Sequence, residues 1–215
     1  MAAGAWSLRI RCAPLSIVRS APSAAATAHA LGFPVAVKLA SRTITHKSDI
    51  GGVVLGASSA RAVQRAYPQI RERVRTLGRE GEMEGVLVQK MIASGVEVLV
   101  GVTQDPSFGP LIMFGLGGIM VELMKDVQVR IQPLTDVDAR DMVRSIKGYP
   151  SLEGWRGAPR ADVASAEELL LRVAEMAEEL LEVREMDLNP VKLPSPGGRA
   201  VAVDCRMLVR AVHAG

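Results

Sequence analysis

The sequence predicts an α+β chain, in one domain or two small lobes. A length of 215 residues suits either arrangement, and a hydrophobic fraction of 48% is enough for a sizeable core. Stretches with the period-two pattern of strands alternate with stretches that have the 3.6-residue period of helices. We expect an irregular or truncated start over 1–17, a first lobe over 18–88 and a second lobe over 89–212.

The composition excludes several classes of partner. Aromatic residues make up only 3% of the chain, so the core must be aliphatic. Base stacking needs exposed aromatic rings, and we therefore expect no nucleic-acid partner. No apolar run reaches 18 residues, which predicts no membrane span.

Positive charge is concentrated at the start of the chain. Six basic residues and no acidic residue precede Asp49, whereas the remainder carries 20 basic and 23 acidic side chains. Basic residues do not alternate with aromatic residues, so the pattern favours a local anion site over a nucleic-acid surface.

The two cysteines, Cys12 and Cys205, are too few and too far apart for a disulfide framework, which predicts a cytoplasmic protein. The opening 28 residues are rich in Arg, Ala and Ser and resemble a transit peptide. However, "SAAATAHALGFPV" has the pattern of a helix that leads into a strand. This pattern favours an irregular or truncated domain start.

The first predicted strand is "PVAVKLA". Its alternation places Val35, Val37 and Leu39 on one face and Lys38 on the other, among small residues. A lysine in this position is either an exposed residue of the sheet face or a cation that contacts phosphate. A loop with His46 follows, and then a helix with Ser58 or Ser59 as its cap.

Further strands are predicted at "GVLVQKMI", "VEVLVGVTQD", "GPLIMF" and "DVQVRIQPL". In the last of these, Val127, Val129 and Ile131 are expected to face the core. Two helices follow, the first capped by Thr135 or Asp136. The second carries one apolar stripe: Leu169, Val173, Met176 and Leu180.

The last two strands, "REMDLNPVKL" and "AVAVDCRMLV", predict a hairpin around the turn "PSPGG". Paired positions in a hairpin keep a constant sum, and the turn centre places Asn189 opposite Asp204. Asp187 projects from the same face, among neighbours that are otherwise apolar. Clustered oxygen ligands suit Mg²⁺, although a polar sheet face is the alternative, and a shift of one residue would separate them.

The stretch "FGLGGIMVELMKD" holds Gly115, Gly117 and Gly118 after a strand. These glycines are either a turn or an approach of backbone N–H groups to an anion. Glu122 and Asp126 follow and are expected to be solvated. The motifs of P-loops, dinucleotide-binding Rossmann units, zinc hydrolases and serine nucleophiles are absent.

Four long stretches, in this order, resemble one family: "GFPVAVKLASRTITHKSDIGGVVLG", "GVLVQKMIASGVEVLVGVTQDPSFGPLIMFGLGGIMVELMKDVQVRIQPLT", "GYPSLEGWRGAP" and "EMDLNPV…AVDCRM". They are similar to the ATP-grasp domain of ADP-forming (NDP-forming) acyl-CoA synthetases, including the beta subunit of ADP-forming acetyl-CoA synthetase. The resemblance runs from about residue 18 to 210. It implies two α/β lobes that hold a nucleotide between them, with ATP or ADP and Mg²⁺ as cofactors.

The resemblance also implies roles for individual residues. Lys38 corresponds to the strand lysine that contacts the ATP phosphates. Asn189 and Asp204 correspond to the Mg²⁺ ligands, in agreement with the predicted hairpin. The hinge beside the adenine corresponds to Gln89, Lys90 and Met91. Glu97 corresponds to a nearby residue on the nucleotide side.

His46 corresponds to a loop histidine that accepts phosphate as phosphohistidine and passes it to or from the nucleotide. Imidazole is largely neutral and nucleophilic near pH 7, which suits this role. The succinyl-CoA synthetase branch lacks the His46-Lys47 pair, so the pair favours the acyl- or acetyl-CoA type.

The resemblance implies a CoA-binding alpha subunit or domain as partner, and this partner would contact the acyl-CoA. Without it, the chain is not expected to complete the reaction. Family members have more chain ahead of the first helix, so the first lobe is expected to be incomplete or completed by a partner. Two other interpretations remain: a non-catalytic regulatory or interaction module, and the C-terminal fragment of a fused acetyltransferase/acyl-CoA synthetase chain.

Overall fold

The computed structural model describes residues 10–44, 46–92, 95–117 and 126–210, and the chain divides into two compact units. The first unit is Ala13–Ile92. The second unit combines residues 10–12 with the described residues from 95 onward. Cys12 belongs to the second unit because it forms an isolated parallel bridge with Ala202.

The first unit is a four-stranded antiparallel sheet with two helices. The order across the sheet is β1, β4, β2, β3. The elements are β1 (Leu15–Val18), α1 (Ala21–Leu31), β2 (Val35–Ala40), β3 (Val53–Ala57), α2 (Ala60–Thr76) and β4 (Gly85–Lys90).

The sequence explains where α1 ends and where α2 begins. Gly32 ends α1 with φ 76°, a conformation that glycine adopts without the steric cost of a side chain. The side chain of Ser59 accepts the N–H of Ala62 and caps α2.

The predicted faces of β2 are confirmed. Val35, Val37 and Leu39 are buried in the core, where alanines of α1 and aliphatic residues of α2 pack against them. The other face of this sheet, which we call the four-stranded outer face, carries Lys38.

Two strands of the first unit were not predicted from the sequence. β1 lies in the segment expected to be irregular, and it pairs with β4 along one edge. Three of its four residues are exposed, so it lacks the alternation that marks a half-buried strand. β3 follows a glycine pair and contains Gly56 at φ 71°, a feature more typical of a turn.

The second unit has a larger antiparallel sheet in the order β10, β8, β5, β6, β7, with β9 beside β8. Its strands are β5 (Val96–Asp105), β6 (Gly109–Leu116), β7 (Val127–Ile131), β8 (Val183–Leu193), β9 (Val201–Ala202) and β10 (Cys205–Val209). Its helices are α3 (Asp136–Ser145), α4 (Tyr149–Leu152) and α5 (Val163–Glu179).

One face of this sheet is covered by α3 and α5. The predicted stripe of α5 is confirmed, since Leu169, Val173 and Met176 are buried and Leu180 packs against the same core. Thr135 caps α3 in a capping box with Asp138. The face turned away from these helices, which we call the six-stranded outer face, is the one that carries the candidate metal ligands.

The predicted orientation of β7 is wrong. Val129 and Ile131 are 43% and 48% exposed and do not lie in the core. The side-chain amide of Gln128 instead donates to the carbonyl oxygen of Ser145 in α3, over 3.2 Å, and that of Gln132 to Ala174 in α5, over 2.5 Å. The helix side of this edge strand is therefore polar, because glutamine amides satisfy helix carbonyl groups there.

Within the described ranges, no helix combines the length and the apolar character needed to cross a membrane.

Candidate nucleotide and metal site

Lys38 lies in the middle of β2, half-buried on the four-stranded outer face. Its neighbours along the strand on this face are the small residues Ala36 and Ala40. Gln89 pairs with Ala36 across the sheet and is only 3% exposed. The sheet therefore places two of the predicted nucleotide residues, Lys38 and Gln89, on one face.

Lys90 and Met91 already have partners within the first unit. The Lys90 ammonium donates to the carbonyl oxygens of Gly32 and Phe33 over 2.8 and 3.1 Å. Its backbone N–H donates to Pro14, and that of Met91 to Pro34. The predicted hinge is thus held in place by its backbone, and the Lys90 side chain contributes to stability at the end of α1.

His46 lies in the loop between β2 and β3, with its side chain 75% exposed. The base of the loop is closed by the N–H of Leu39, which donates to Gly52 over 2.7 Å. Gly52 in turn donates to Lys47 over 2.8 Å, and Gly51 takes φ 66°. These glycines form the tight turn that presents His46 to solvent. The nearest carboxylate oxygen, from Asp49, is 4.0 Å from its Nδ1.

The same loop is anchored by Thr43, whose hydroxyl donates to the Glu82 carboxylate. Arg79 donates to both oxygens of Glu82 over 2.6 and 2.7 Å. These hydrogen bonds, first from Arg79 and then from Thr43, lower the pKa of Glu82 to about 2. Ile44 is buried as a second anchor. The loop is therefore fixed just ahead of His46.

In the second unit, the predicted pairing of Asn189 with Asp204 is confirmed. Leu188 pairs with Cys205, and Val191 pairs with Ala202, so that Asn189 and Asp204 face each other. The N–H of Asn189 donates to the carbonyl oxygen of Asp204 over 3.2 Å.

A bulge in β8 decides which side chains face outward here. Val98 of β5 pairs with Val191, but Val100 pairs with Leu188, so β8 has one residue more than its partner between these pairs. Leu188 and Val191 can then both be buried in the core. Asn189 remains on the six-stranded outer face, where it would otherwise have shared a face with Val191.

Asp187 shares this face, as predicted, but its neighbours are not all apolar. Asp187 pairs directly with Arg206 of β10. The pKa of the Asp187 carboxyl is raised, chiefly by desolvation, while Arg206 lowers it and Asp204 raises it. Arg206 was not among the predicted site residues, although the constant sum of the hairpin pairs it with Asp187.

Glu97 lies on β5 directly opposite Lys192 of β8. The two side chains form an ion pair with Nζ and Oε1 2.9 Å apart. Glu97 is thus on the same outer face as Asn189, beyond the bulge, and Lys192 holds its carboxylate in position.

Asn189 and Asp204, which face each other on the six-stranded outer face, suit a magnesium ion that takes few of its ligands from the protein. Among the described residues, no group of three or more His, Cys, Asp or Glu side chains could hold a metal by itself. Asn189 and Asp204 offer hard oxygen atoms, and Mg²⁺ in proteins is commonly bound by one or two carboxylates with water and substrate phosphates. The donor set therefore suits a metal that arrives with a phosphate ligand.

The glycine run does not form an anion loop in the residues described. Gly115 lies inside β6, where a Cβ would approach the carbonyl oxygen of Asp126 to 2.6 Å. At Gly117, a Cβ would lie 2.8 Å from backbone atoms of Val98. Close contact between backbones thus explains both glycines. Gly118 and Glu122 lie outside the described residues.

The expectation that Asp126 is solvated is wrong. Asp126 is 6% exposed, and its two carboxylate oxygens accept the N–H groups of Lys147 and Gly148 over 2.8 and 2.7 Å. The carboxylate therefore ties the start of β7 to the segment after α3. Its partners lie more than twenty residues away, and nothing in the local sequence points to them.

Comparison with known proteins identifies the class of this fold. The ATP-grasp domain family model matches residues 6–209. The chain is 45% identical over 184 residues to the beta subunit of acetate–CoA ligase [ADP-forming] II of Pyrococcus furiosus, covering 85% of this chain and 78% of that subunit. It is also 44% identical over 200 residues to acetate–CoA ligase [ADP-forming] I of Archaeoglobus fulgidus. That match covers 93% of this chain but only 29% of the longer relative.

Solved structures give the same result. A dinucleotide forming acetyl-coenzyme A synthetase 1 of Ca. Korarchaeum cryptofilum, in complex with coenzyme A, Ca-AMPCP and HgCl+, matches with a TM-score of 0.90 and 38% identity, covering 95% of this chain and 89% of that one. Another structure of it holds coenzyme A and Mg-AMPPCP, with its phosphohistidine segment pointing towards the nucleotide binding site. Its TM-score is 0.82 at 36% identity, covering 95% of this chain and 88% of that one.

The chain therefore has the ATP-grasp fold and belongs to the ATP-grasp domain family. Within it, the chain belongs to the family of ADP-forming acetate–CoA ligase beta subunits, whose members are acid–thiol ligases. The two other interpretations, a regulatory module and a fragment of a fused acetyltransferase chain, are not favoured by these relatives.

Proposed function

We propose that this chain is the nucleotide-binding part of an ADP-forming acyl-CoA synthetase. The overall reaction is acyl-CoA + ADP + phosphate ⇌ acid + CoA + ATP. The observation that carries the proposal is the facing pair Asn189 and Asp204 on an outer sheet face, in a chain of this family. A CoA-binding subunit or domain would supply the acyl site.

Asn189 and Asp204 would hold Mg²⁺, which neutralises the charge of phosphate oxygens when it is bound. Glu97, fixed by Lys192, would contact the nucleotide, as would the hinge residues Gln89, Lys90 and Met91. Lys38 would place its ammonium group against the phosphates and stabilise the charge on the group that is transferred.

His46 would carry the phosphate. Its neutral imidazole nitrogen attacks the terminal phosphorus of ATP, a nitrogen–phosphorus bond forms, the bond to the bridging oxygen breaks, and ADP leaves. The reverse step makes ATP. Such a carrier must be accessible to more than one site, and the exposed position of His46 on an anchored loop satisfies this requirement.

Phosphate labelling tests the relay. The wild-type chain is incubated with ATP labelled in the terminal phosphate and with Mg²⁺, and the protein is assayed for acid-labile, base-stable phosphate. We expect label on the wild type and on His29→Ala, a control that removes another exposed histidine, but none on His46→Ala. Label that persists in His46→Ala, or a wild type that takes up none, would contradict the relay.

A further inference from the structure

A cavity of about 310 Å³ lies on the helix side of the second unit, beside the first turns of α5. Helix α5 supplies Ser165, Glu168, Leu169 and Arg172 to its wall. The rest of the wall comes from the first described residues and from the segment before β9: Ile10, Arg11, Arg199 and Ala200. None of these residues belongs to the outer face that carries Asn189 and Asp204.

The charge of this cavity is not balanced. Three arginines, Arg11, Arg172 and Arg199, face one carboxylate, that of Glu168. Glu168 forms an ion pair with Arg172, one turn further along α5. In the described part of the chain, no carboxylate forms an ion pair with Arg11 or Arg199. Two guanidinium groups are therefore available to an anion, which arginine binds with paired N–H donors.

The segments that bring the arginines together are joined by backbone hydrogen bonds. The N–H of Ala202 donates to the carbonyl oxygen of Arg11 over 2.8 Å. The carboxylate of Asp162, which caps α5, also accepts the N–H of Gly197 over 2.6 Å. The turn before Arg199 is thus attached to the helix, and little ordering of the backbone is needed when a ligand binds.

We propose that this cavity is a binding site for a phosphomonoester, separate from the nucleotide and metal site. Two unpaired arginines match the double negative charge of a phosphate group. The volume lies at the small end of the range of ligand pockets and exceeds the space that one phosphate group needs. The apolar side chains of Ile10, Leu169 and Ala200 form a wall for the organic part of the ligand.

Calorimetric titration with phenyl phosphate tests the site, with orthophosphate as a second arm. Both titrations use the full chain without Mg²⁺, at an ionic strength held constant with chloride, because salt screens exposed charges. The variant Arg11→Gln/Arg199→Gln removes both available cations. The matched control Arg61→Gln/Arg65→Gln removes two exposed arginines of α2, in the other unit.

We expect saturable binding of phenyl phosphate to the wild type and to the control. In Arg11→Gln/Arg199→Gln the affinity should fall by about tenfold or more, since two charge-assisted contacts are lost. Tighter binding of phenyl phosphate than of orthophosphate supports a phosphomonoester as the ligand, whereas equal affinities would assign the site to free phosphate and contradict the proposal. The absence of saturable binding, or equal affinities for the two double variants, would overturn the proposal.

Discussion

Asn189 of β8 faces Asp204, the residue just before β10, and the N–H of Asn189 donates to the carbonyl oxygen of Asp204 over 3.2 Å. The bulge in β8 keeps Asn189 on the outer face while Leu188 and Val191 fill the core. The proposed metal site therefore depends on one inserted residue in one strand.

Replacement of Lys38 by methionine should weaken the binding of nucleotides, and the loss should grow with the number of phosphate groups in the ligand. We expect the affinity for ATP to fall by about tenfold, the value of one charge-assisted contact, and the affinity for adenosine to stay unchanged. Calorimetry with both ligands measures this difference. Lys147→Met, at an exposed lysine of the second unit, is the control. Equal losses for ATP and adenosine would assign Lys38 a purely structural role.

The Glu82 carboxylate should make the first unit more stable at neutral pH than in acid. Its pKa is about 2 in the folded protein, against an ordinary value of 4.5. Because the folded-state pKa is the lower one, the contribution is complete above pH 4.5 and is lost as the pH falls towards 2.

Urea unfolding of the wild type and of Glu82→Gln measures this contribution. The wild type should have the larger free energy of unfolding at pH 7, and the difference should shrink below pH 4.5. Glu80→Gln is the matched control, since Glu80 also pairs with an arginine, but with Arg71 of α2 and not with a residue of the His46 loop. If the difference in free energy of unfolding between wild type and Glu82→Gln does not change with pH, the lowered pKa of Glu82 is contradicted.

Asp126→Ala should destabilise the second unit by about 2–3 kcal/mol, because the backbone N–H groups of Lys147 and Gly148 lose the buried carboxylate that accepts them. Asp105→Ala is the matched control. Asp105 also accepts two backbone N–H groups, from Ser107 and Phe108, but in an exposed turn where water can replace it. We expect a loss below about 1 kcal/mol there. If urea unfolding shows equal losses of stability for Asp126→Ala and Asp105→Ala, burial of the Asp126 carboxylate does not add to its contribution.

The sequence was most informative where a geometric rule connects distant residues. A hairpin fixes its own register, so the pairing of Asn189 with Asp204 followed from the position of the turn. Helix caps at Ser59 and Thr135 followed from local hydrogen bonding. The resemblance supplied the fold, which the matches to solved structures confirm.

The sequence was least informative where tertiary contacts determine which side chains are buried. Alternation correctly grouped Val129 with Ile131 but did not say which face of β7 the helices would cover. Asp126 resembled a surface charge because its partners are distant in sequence. β1 has no alternating burial, since it is an exposed edge strand.

Calorimetric titration of ADP and ATP, with and without Mg²⁺, tests whether Asn189 and Asp204 hold a metal ion that binds the nucleotide. Wild type and Asp204→Ala are compared, with Glu185→Gln as a control that removes another carboxylate on β8. We expect Mg²⁺ to strengthen nucleotide binding to the wild type and to the control, and we expect Asp204→Ala to lose this Mg²⁺-dependent gain. Nucleotide binding that is absent, or a gain from Mg²⁺ that survives in Asp204→Ala, would contradict the assignment of the metal to Asn189 and Asp204.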